Sequence, residues 1–245
     1  MEIEKALYMI PVPISDGDLA DVLPQGNKII ITGIRHFIVE NLRTARRFLK
    51  KTDPGMDISS VTFYELNRHT SESEISGYLS ALRGGEPIGL MSEAGCPGVA
   101  DPGASVVEIA QNEGFKVIPL VGPSSIILSL MASGLNGQRF AFQGYLPVKP
   151  LERDKAIKDL ETQSRRLDMT QIFIETPYRN VQMMESLLKN LNGETYLCVA
   201  SDVTSPTKEK IITKRVRQWK SEGFSIEKVP TIFLFYSLNP LLKAR

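Results

Sequence analysis

Residues 92–103 have the composition of a loop that binds a small polar ligand. This twelve-residue segment reads SEAGCPGVADPG and contains three glycines and two prolines. Glycines let backbone N–H and C=O groups approach a ligand closely, and prolines lower the entropy cost of ordering a loop. The carboxylates of Glu93 and Asp101 suit hydroxyl groups or a cationic ligand better than a phosphate. Because a strand-to-helix connection is usually shorter, the segment favours a binding loop over a simple turn.

A second segment, LVGPSS at residues 120–125, contains features of a helix start. Pro123 fits the first helical position, which places Ser124 and Ser125 among the free N–H groups of the first turn. Such a helix start can hold a carboxylate or another anion. Serines there also act as simple helix caps, and the residues alone leave both roles open.

Several other functional classes are poorly supported. The chain has no G-x-G-x-x-G after a strand and no G-x-x-x-x-G-K-[ST], which disfavours a Rossmann dinucleotide site and a P-loop NTPase. Two histidines and two cysteines are too few for a zinc cage, so we expect no metal. The nucleophile elbow of serine hydrolases is also missing.

The elements around these segments alternate between short apolar strands and helices. In the first half this pattern predicts a parallel α/β sheet, with strands at 5–12, 27–32, 60–66, 87–92 and 116–120 and helices at 35–51, 71–84 and 104–113. Ser71 and Glu74 form a predicted capping box. The loop at 92–103 follows a strand directly, which is where open α/β sheets bind ligands.

The second half predicts another α/β unit with a mixed sheet. Its expected strands are 139–145, 171–175, 195–201, 209–213 and 231–237, and its expected helices are 122–133, one from 152, 178–191 and 216–222. The proline and glycine cluster near 119–122 predicts the boundary. We therefore expect an α/β protein with two domains, residues 1–118 and 119–245.

The charge distribution differs between these halves. The 245 residues carry a net charge of +1, but residues 1–118 hold a net −5 and residues 119–245 a net +6. This asymmetry either indicates a polyanionic partner or reflects two domains of different surface composition. The apolar run at 125–132 is shorter than the ~20 residues of a membrane span, and the N-terminus MEIEKALYMI lacks signal-peptide features. We expect a cytoplasmic protein that does not enter a membrane.

Five stretches together resemble the tetrapyrrole methylase superfamily. They are LYMIPVPIS (7–15), SEAGCPGVADPG (92–103), VIPLVGPSSIILSLMASGL (117–135), RFAFQGYLP (139–147) and IFIETPYR (172–179). Within that superfamily they are most similar to the branch that methylates a cytidine ribose 2′-oxygen in small-subunit ribosomal RNA. The resemblance implies two α/β domains, S-adenosylmethionine (SAM) in the cleft between them, and a homodimer. The cofactor contacts that it implies are Pro11, Pro13, Ser92, Glu93, Ala94, Gly95, Val99, Asp101, Ser124, Ser125, Tyr145, Leu146, Pro230 and Thr231.

A ribose hydroxyl is a weak nucleophile that benefits from a positioned base. The candidates are Glu175, Asp101, Glu93 and Glu40. Glu175 ends a predicted strand, and its side chain acts either as a base or as an ion-pair partner of Arg179. Arg43 and Arg179 match family positions and either hold phosphate or remain solvated.

A basic strip near the C-terminus offers sequence-independent affinity for RNA. It consists of Lys208, Lys210, Lys214, Arg215, Arg217 and Lys220. Trp219 lies within it, and burial in a helix is favoured over stacking on a base.

The predicted function is SAM-dependent methylation of a ribose 2′-hydroxyl in ribosomal RNA. One alternative is methylation of a tetrapyrrole or another small molecule. A second is a SAM-binding module with impaired catalysis, because this chain reads Glu-Asn-Leu-Arg at 40–43 where the family reads Glu-Asp-Thr-Arg.

Overall fold

The computed structural model describes residues 3–67 and 70–238. The chain divides into two units, Met1–Ser124 and Ser125–Arg245, called unit 1 and unit 2 below. Across the described ranges, no helix combines the length and apolar character needed to cross a bilayer.

Unit 1 contains a five-stranded sheet in the order β3-β2-β4-β1-β5. Every pairing between its neighbouring strands is parallel. Strands β1 and β4 are buried along their whole length, as expected for the centre of a parallel sheet. The carboxyl ends therefore share one edge. The strands are β1 (Leu7–Ile10), β2 (His36–Val39), β3 (Thr62–Glu65), β4 (Ile88–Met91) and β5 (Val117–Pro119).

The helices of unit 1 connect these strands. They are α1 (Gln25–Gly33), α2 (Leu42–Thr52), α3 (Glu72–Tyr78), α4 (Ser80–Arg83) and α5 (Gly103–Asn112). The capping box predicted at Ser71 and Glu74 is confirmed at the start of α3. The helix predicted over 71–84 is broken into α3 and α4.

Two other predictions for unit 1 were wrong. Residues 27–32 form part of α1 and not a strand, because only one face of this apolar run is buried: Ile31 is 1% exposed and Ile29 is 55% exposed. Residues 35–51 do not form one helix, since Ile38 lies in β2 and α2 begins only after Asn41. Asn41 adopts an extended backbone and caps α2, which ends the strand and starts the helix.

Unit 2 contains a mixed sheet in the order β6-β7-β10-β8-β9. The β6–β7 pairing is parallel and the other three pairings are antiparallel. Its strands are β6 (Phe140–Tyr145), β7 (Thr170–Glu175), β8 (Tyr196–Ser201), β9 (Lys210–Arg215) and β10 (Thr231–Tyr236). Its helices are α6 (Ser125–Ser133), α7 (Pro150–Leu167), α8 (Asn180–Asn190) and α9 (Val216–Glu222).

Two predicted helix starts in unit 2 need correction. The helix α6 begins at Ser125, so Pro123 precedes the helix and does not occupy its first position. The helix predicted from Tyr178 begins as a 3₁₀ turn over Pro177–Arg179, and α8 follows it.

The core of unit 2 packs around aromatic side chains. Phe173 and Phe233 are fully buried on neighbouring strands, with ring centroids 5.6 Å apart. Trp219 is buried against the same core, and its indole N–H donates a hydrogen bond to the carbonyl of Leu197 at 2.9 Å. The prediction that Trp219 lies in the core is confirmed.

Candidate functional site

Three segments that the sequence singled out lie side by side at the carboxyl edge of the sheet in unit 1. Val12 and Gly95 exchange two backbone hydrogen bonds, of 3.0 and 3.1 Å. The thiol of Cys96 donates to the carbonyl of Pro123 at 3.4 Å. The loops after β1, β4 and β5 are therefore neighbours, as the parallel topology requires.

Two glycines permit this close approach. Gly95 has a φ of +72°, and a Cβ there would lie 3.2 Å from the Cγ2 atom of Ile14. At Gly122 a Cβ would lie only 2.3 Å from the ring of Pro11. Larger residues at either position would push the three segments apart.

Asp101 stabilises the conformation of the loop at 92–103. Both of its carboxylate oxygens accept from the N–H of Gly98 at 2.9 Å, and Oδ1 also accepts from the N–H of Gly103 at 2.7 Å. Burial raises the pKa of Asp101 above its ordinary value, and these N–H groups oppose that rise. Ala94 and Val99 are exposed on the same loop.

A second group of polar side chains connects this loop to the start of α2. Glu40 accepts a hydrogen bond from the N–H of Glu93 at 3.1 Å, and the hydroxyl of Thr44 donates to the carboxylate of Glu93 at 2.5 Å. Asn41 accepts from the N–H of Arg43 at 2.9 Å. Burial raises the pKa of Glu40 above that of an ordinary glutamate, and the nearby carboxylates of Asp101 and Glu93 contribute to the rise.

These residues border a pocket of about 460 Å³ in unit 1. Its walls come from the residues that follow β1, β2 and β4 and from α2. Its lining holds both charge types, with the carboxylates of Asp16, Glu40 and Glu93 and the cations of Arg47, Lys50 and Lys51. Pro13 and Ser92 also line it, whereas Arg43 is not among its lining residues.

Sequence reasoning missed Thr44, Arg47, Lys50 and Lys51. A signal for the cations was present, because α2 reads LRTARRFLKKT and holds five cations and no carboxylate. Nothing in the sequence alone distinguished Thr44.

In unit 2 the structure shows Glu175 in an ion pair with Arg179. The Glu175 side chain has no exposed surface, and its Oε1 atom accepts from Arg179 Nη2 at 2.6 Å and Nε at 2.9 Å. The N–H of Thr176 donates to the same oxygen at 2.6 Å. Glu175 Oε2 is buried without a hydrogen-bond partner among the described residues. The hydrogen bonds of Glu175 raise the pKa of Arg179.

Four other predicted residues of unit 2 lie at or next to the ends of strands that pair with β7. Thr231 is buried opposite Glu175 in the β7–β10 ladder, and Tyr145 ends the parallel strand β6. The side chain of Asn180, which the sequence did not single out, donates to the Thr231 hydroxyl at 3.1 Å. Leu146 is buried next to Tyr145, and Pro230 is exposed before β10. Ser125 is the first residue of α6.

The histidine, cysteine, aspartate and glutamate side chains in the described part of the chain form no group of three or more that could hold a metal ion.

The fold resembles that of solved tetrapyrrole methyltransferases. The methyltransferase CobJ aligns with a TM-score of 0.61 at 15% identity, covering 95% of this chain and 94% of that one. The uroporphyrin-III C-methyltransferase of Thermus thermophilus, solved with S-adenosylhomocysteine, aligns with a TM-score of 0.59 at 14% identity, over 98% of this chain and 100% of that one. The two α/β units thus define the fold class of the tetrapyrrole methylases.

Sequence relatives narrow this class to one family. Proteins named ribosomal RNA small subunit methyltransferase I from Vibrio cholerae, Xylella fastidiosa and Synechocystis sp. are 33%, 31% and 30% identical, each over 81% of this chain. The alignments cover 65%, 68% and 67% of those relatives, so the chain spans about two thirds of their length. No family model matches the chain. The chain belongs to the ribosomal RNA small subunit methyltransferase I family.

Proposed function

We propose that this protein is a SAM-dependent methyltransferase that modifies a ribose 2′-hydroxyl of small-subunit ribosomal RNA. The observation that carries the proposal is the convergence of the loops after β1, β4 and β5 in unit 1, in a chain whose relatives are named as small-subunit ribosomal RNA methyltransferases. We also propose that it works in the cytoplasm as a homodimer.

The residues at this edge fit SAM chemically. SAM carries a sulfonium cation and ribose hydroxyls, and the loop at 92–103 offers carboxylates and backbone groups around Gly95 and Gly98. SAM supplies an electrophilic methyl group when bound. The residues of unit 1 proposed to hold it are Pro11, Pro13, Ser92, Glu93, Ala94, Gly95, Val99, Asp101 and Ser124. The residues proposed in unit 2 are Ser125, Tyr145, Leu146, Pro230 and Thr231.

Glu40 is the candidate base that the geometry favours. It lines the pocket of unit 1, and its raised pKa brings it closer to the range in which a carboxylate accepts a proton efficiently. Asp101 is less suited because N–H groups of its own loop engage both of its oxygens. Glu175 is less suited because three donors engage its Oε1 atom and its Oε2 atom is buried.

The nucleophile also needs to be positioned. In-line transfer requires the ribose oxygen to be held about 3 Å from the methyl carbon. We assign the substrate-side positioning to Thr44 and Glu93, which are hydrogen-bonded to each other beside Glu40, and to Arg43 and Arg179 as candidate phosphate ligands.

The decisive experiment maps ribose methylation of small-subunit ribosomal RNA by mass spectrometry, in wild-type cells and in a strain lacking this protein. We expect one 2′-O-methyl group to disappear and to return when the purified protein and SAM are added. A full set of ribose methylations in the deletion strain would contradict the ribosomal substrate. A tetrapyrrole substrate would be indicated if the protein instead methylated a tetrapyrrole.

Calorimetry with SAM tests whether the protein binds this cofactor, which the RNA methyltransferase, the tetrapyrrole methyltransferase and the impaired module all require. If the protein binds SAM but methylates neither RNA nor a tetrapyrrole, the SAM-binding module with impaired catalysis would be favoured. Absence of binding at millimolar SAM would overturn the cofactor assignment. The Glu40→Gln variant should bind SAM as the wild type does and lose most of its methylation rate.

A further inference from the structure

Helix α2 is strongly basic although it belongs to the acidic unit. It carries five exposed cations within its eleven residues, namely Arg43, Arg46, Arg47, Lys50 and Lys51, and no carboxylate. Within the described residues, none of the five lies within ion-pair distance of a carboxylate. Direct ion pairs in the described part of the chain therefore do not engage the cations of α2, although the carboxylates of Asp16, Glu40 and Glu93 line the same pocket as three of them.

The basic strip of unit 2 differs from α2 because several of its cations form ion pairs with carboxylates. Lys214 pairs with Glu222 at 2.5 Å, while Arg215 and Arg217 both pair with Glu194. Lys214 and Arg215 also lie over aromatic rings of their own unit, as Arg46 of α2 lies over Phe63. Half of the six cations in the strip that the sequence suggested for RNA are thus engaged within the protein.

Two of the three α2 cations that line the pocket donate to neutral acceptors. Lys50 donates to the carbonyl of Pro54 at 3.0 Å, and Lys51 donates to the carbonyl of Gly17. These bonds orient the ammonium groups without cancelling their charge. Arg47 lines the same pocket as Lys50 and Lys51, beside Glu40, Thr44 and Glu93.

We propose that Arg47, Lys50 and Lys51 bind the phosphodiester backbone of the RNA strand whose ribose enters the pocket of unit 1. The inference rests on the proposed function and adds to it the surface that receives the substrate. Charge complementarity supports an RNA strand, since a row of unpaired cations on one helix matches a repeating phosphate charge. The carboxylates of the same pocket contact the hydroxyl end of the nucleotide, and the cations contact its phosphates.

The test is the salt dependence of RNA binding. The variant Arg47→Gln/Lys50→Gln/Lys51→Gln is compared with Lys155→Gln/Lys158→Gln/Arg166→Gln, which removes three exposed cations from α7 that also lack a carboxylate within ion-pair distance among the described residues. Binding to a fluorescent fragment of small-subunit ribosomal RNA is measured by anisotropy between about 50 and 200 mM KCl, a range over which phosphate contacts change affinity strongly.

The slope of log K against log [salt] is negative, and each lost phosphate contact makes it less negative by about 0.7 to 0.9. We expect the slope of the α2 variant to be less negative than that of the wild type by about 2. The variant should also lose methylation of the RNA and keep its affinity for SAM. The α7 variant should keep the wild-type slope. An unchanged slope in the α2 variant, or an equal loss in both variants, would overturn the inference.

Failure of this inference can be distinguished from failure of the proposed function. If the wild type methylates ribosomal RNA while the α2 variant binds and methylates it equally well, the inference fails and the proposed function stands. If the wild type binds SAM and methylates no RNA, the proposed function fails and the inference fails with it. Measuring SAM affinity in every variant shows that unit 1 is still folded.

Discussion

Replacing Arg179 by methionine should destabilise unit 2 strongly. The change removes two of the three donors to Oε1 of Glu175 and leaves a carboxylate with no exposed side-chain surface next to an apolar group. Breaking a buried ion pair by removing one partner costs roughly 3 to 5 kcal/mol. The Arg179 side chain is 30% exposed, so water replaces part of what is lost. We therefore expect a loss of about 3 kcal/mol in the free energy of unfolding.

Urea denaturation followed by fluorescence measures this effect in the correct unit. Trp219 is the single tryptophan of the chain and is buried in the core of unit 2, so its emission reports the unfolding of that unit. With a slope of about 2 to 3 kcal/mol per M urea, the midpoint should fall by about 1 M. Lys189→Met is the matched control, because it breaks an ion pair with Asp154 of 2.8 Å in which the lysine is 71% exposed. The free energy of unfolding of Lys189→Met should fall by less than about 1 kcal/mol.

The double variant decides whether the ion pair is the cause. Glu175→Gln/Arg179→Met removes the buried charge as well as its partner, so it should be more stable than Arg179→Met alone. The prediction fails if Arg179→Met lies within about 1 kcal/mol of the wild type, or if the effects of the two substitutions simply add.

Three further predictions concern unit 1. Asn41→Ala should lower the free energy of unfolding by about 1 kcal/mol, because α2 loses its N-cap, whereas Asn41→Asp should keep the cap. Equal stability of the two variants in urea denaturation would contradict this prediction. Because burial raises the pKa of Glu40, the stability that this group contributes is present in acid and decreases as pH rises through its folded-state pKa, above the ordinary value of 4.5. Glu40→Gln should therefore flatten the pH dependence of stability just above that value, and a profile identical to the wild type would refute the assignment. Gly89→Ala should lower the free energy of unfolding by about 1 to 3 kcal/mol, because its Cβ would lie 2.6 Å from the Cδ1 atom of Ile10. Gly26→Ala meets open space and should leave the stability unchanged in the same urea denaturation, so an equal loss in both variants would contradict this prediction.

The fold class followed from the sequence because short apolar strands alternate with helices, and this alternation is a property of local composition. The errors occurred where local composition was ambiguous. Residues 29–31 are three consecutive isoleucines, which fit a buried strand as well as a helix segment. Which structure forms depends on which side chains the rest of unit 1 buries, and only Ile31 is completely covered. The strand β2 was missed because Ile38 continues the helical spacing of Leu42, Ala45 and Leu49 by coincidence.

The candidate site was predictable where backbone geometry determines it. Residues 92–103 could be recognised because glycines and prolines record the constraints of a loop in the residue types themselves. Glu40 accepts from the backbone N–H of Glu93 and Thr44 donates to the Glu93 carboxylate, and both contacts join residues about 50 positions apart in sequence. No local pattern encodes such contacts. They become visible only when the parallel pairing of β2 with β4 brings the two strand ends together.

The charge of a domain is a poor guide to where a polyanion binds. Residues 1–118 have the negative balance and residues 119–245 the positive one, which favours the strip in unit 2 as the surface for RNA. Coulomb interactions depend on the nearest charges, and a cation within 3 Å of a carboxylate contributes little field beyond the pair. Glu194 pairs with two arginines of that strip and offsets one of their two charges, whereas the cations of α2 form no ion pair among the described residues. In the proposed complex, a unit with a negative balance receives the RNA strand because the cations of α2 contact its phosphates, while Glu40 and Glu93 contact the part of the nucleotide that carries hydroxyls.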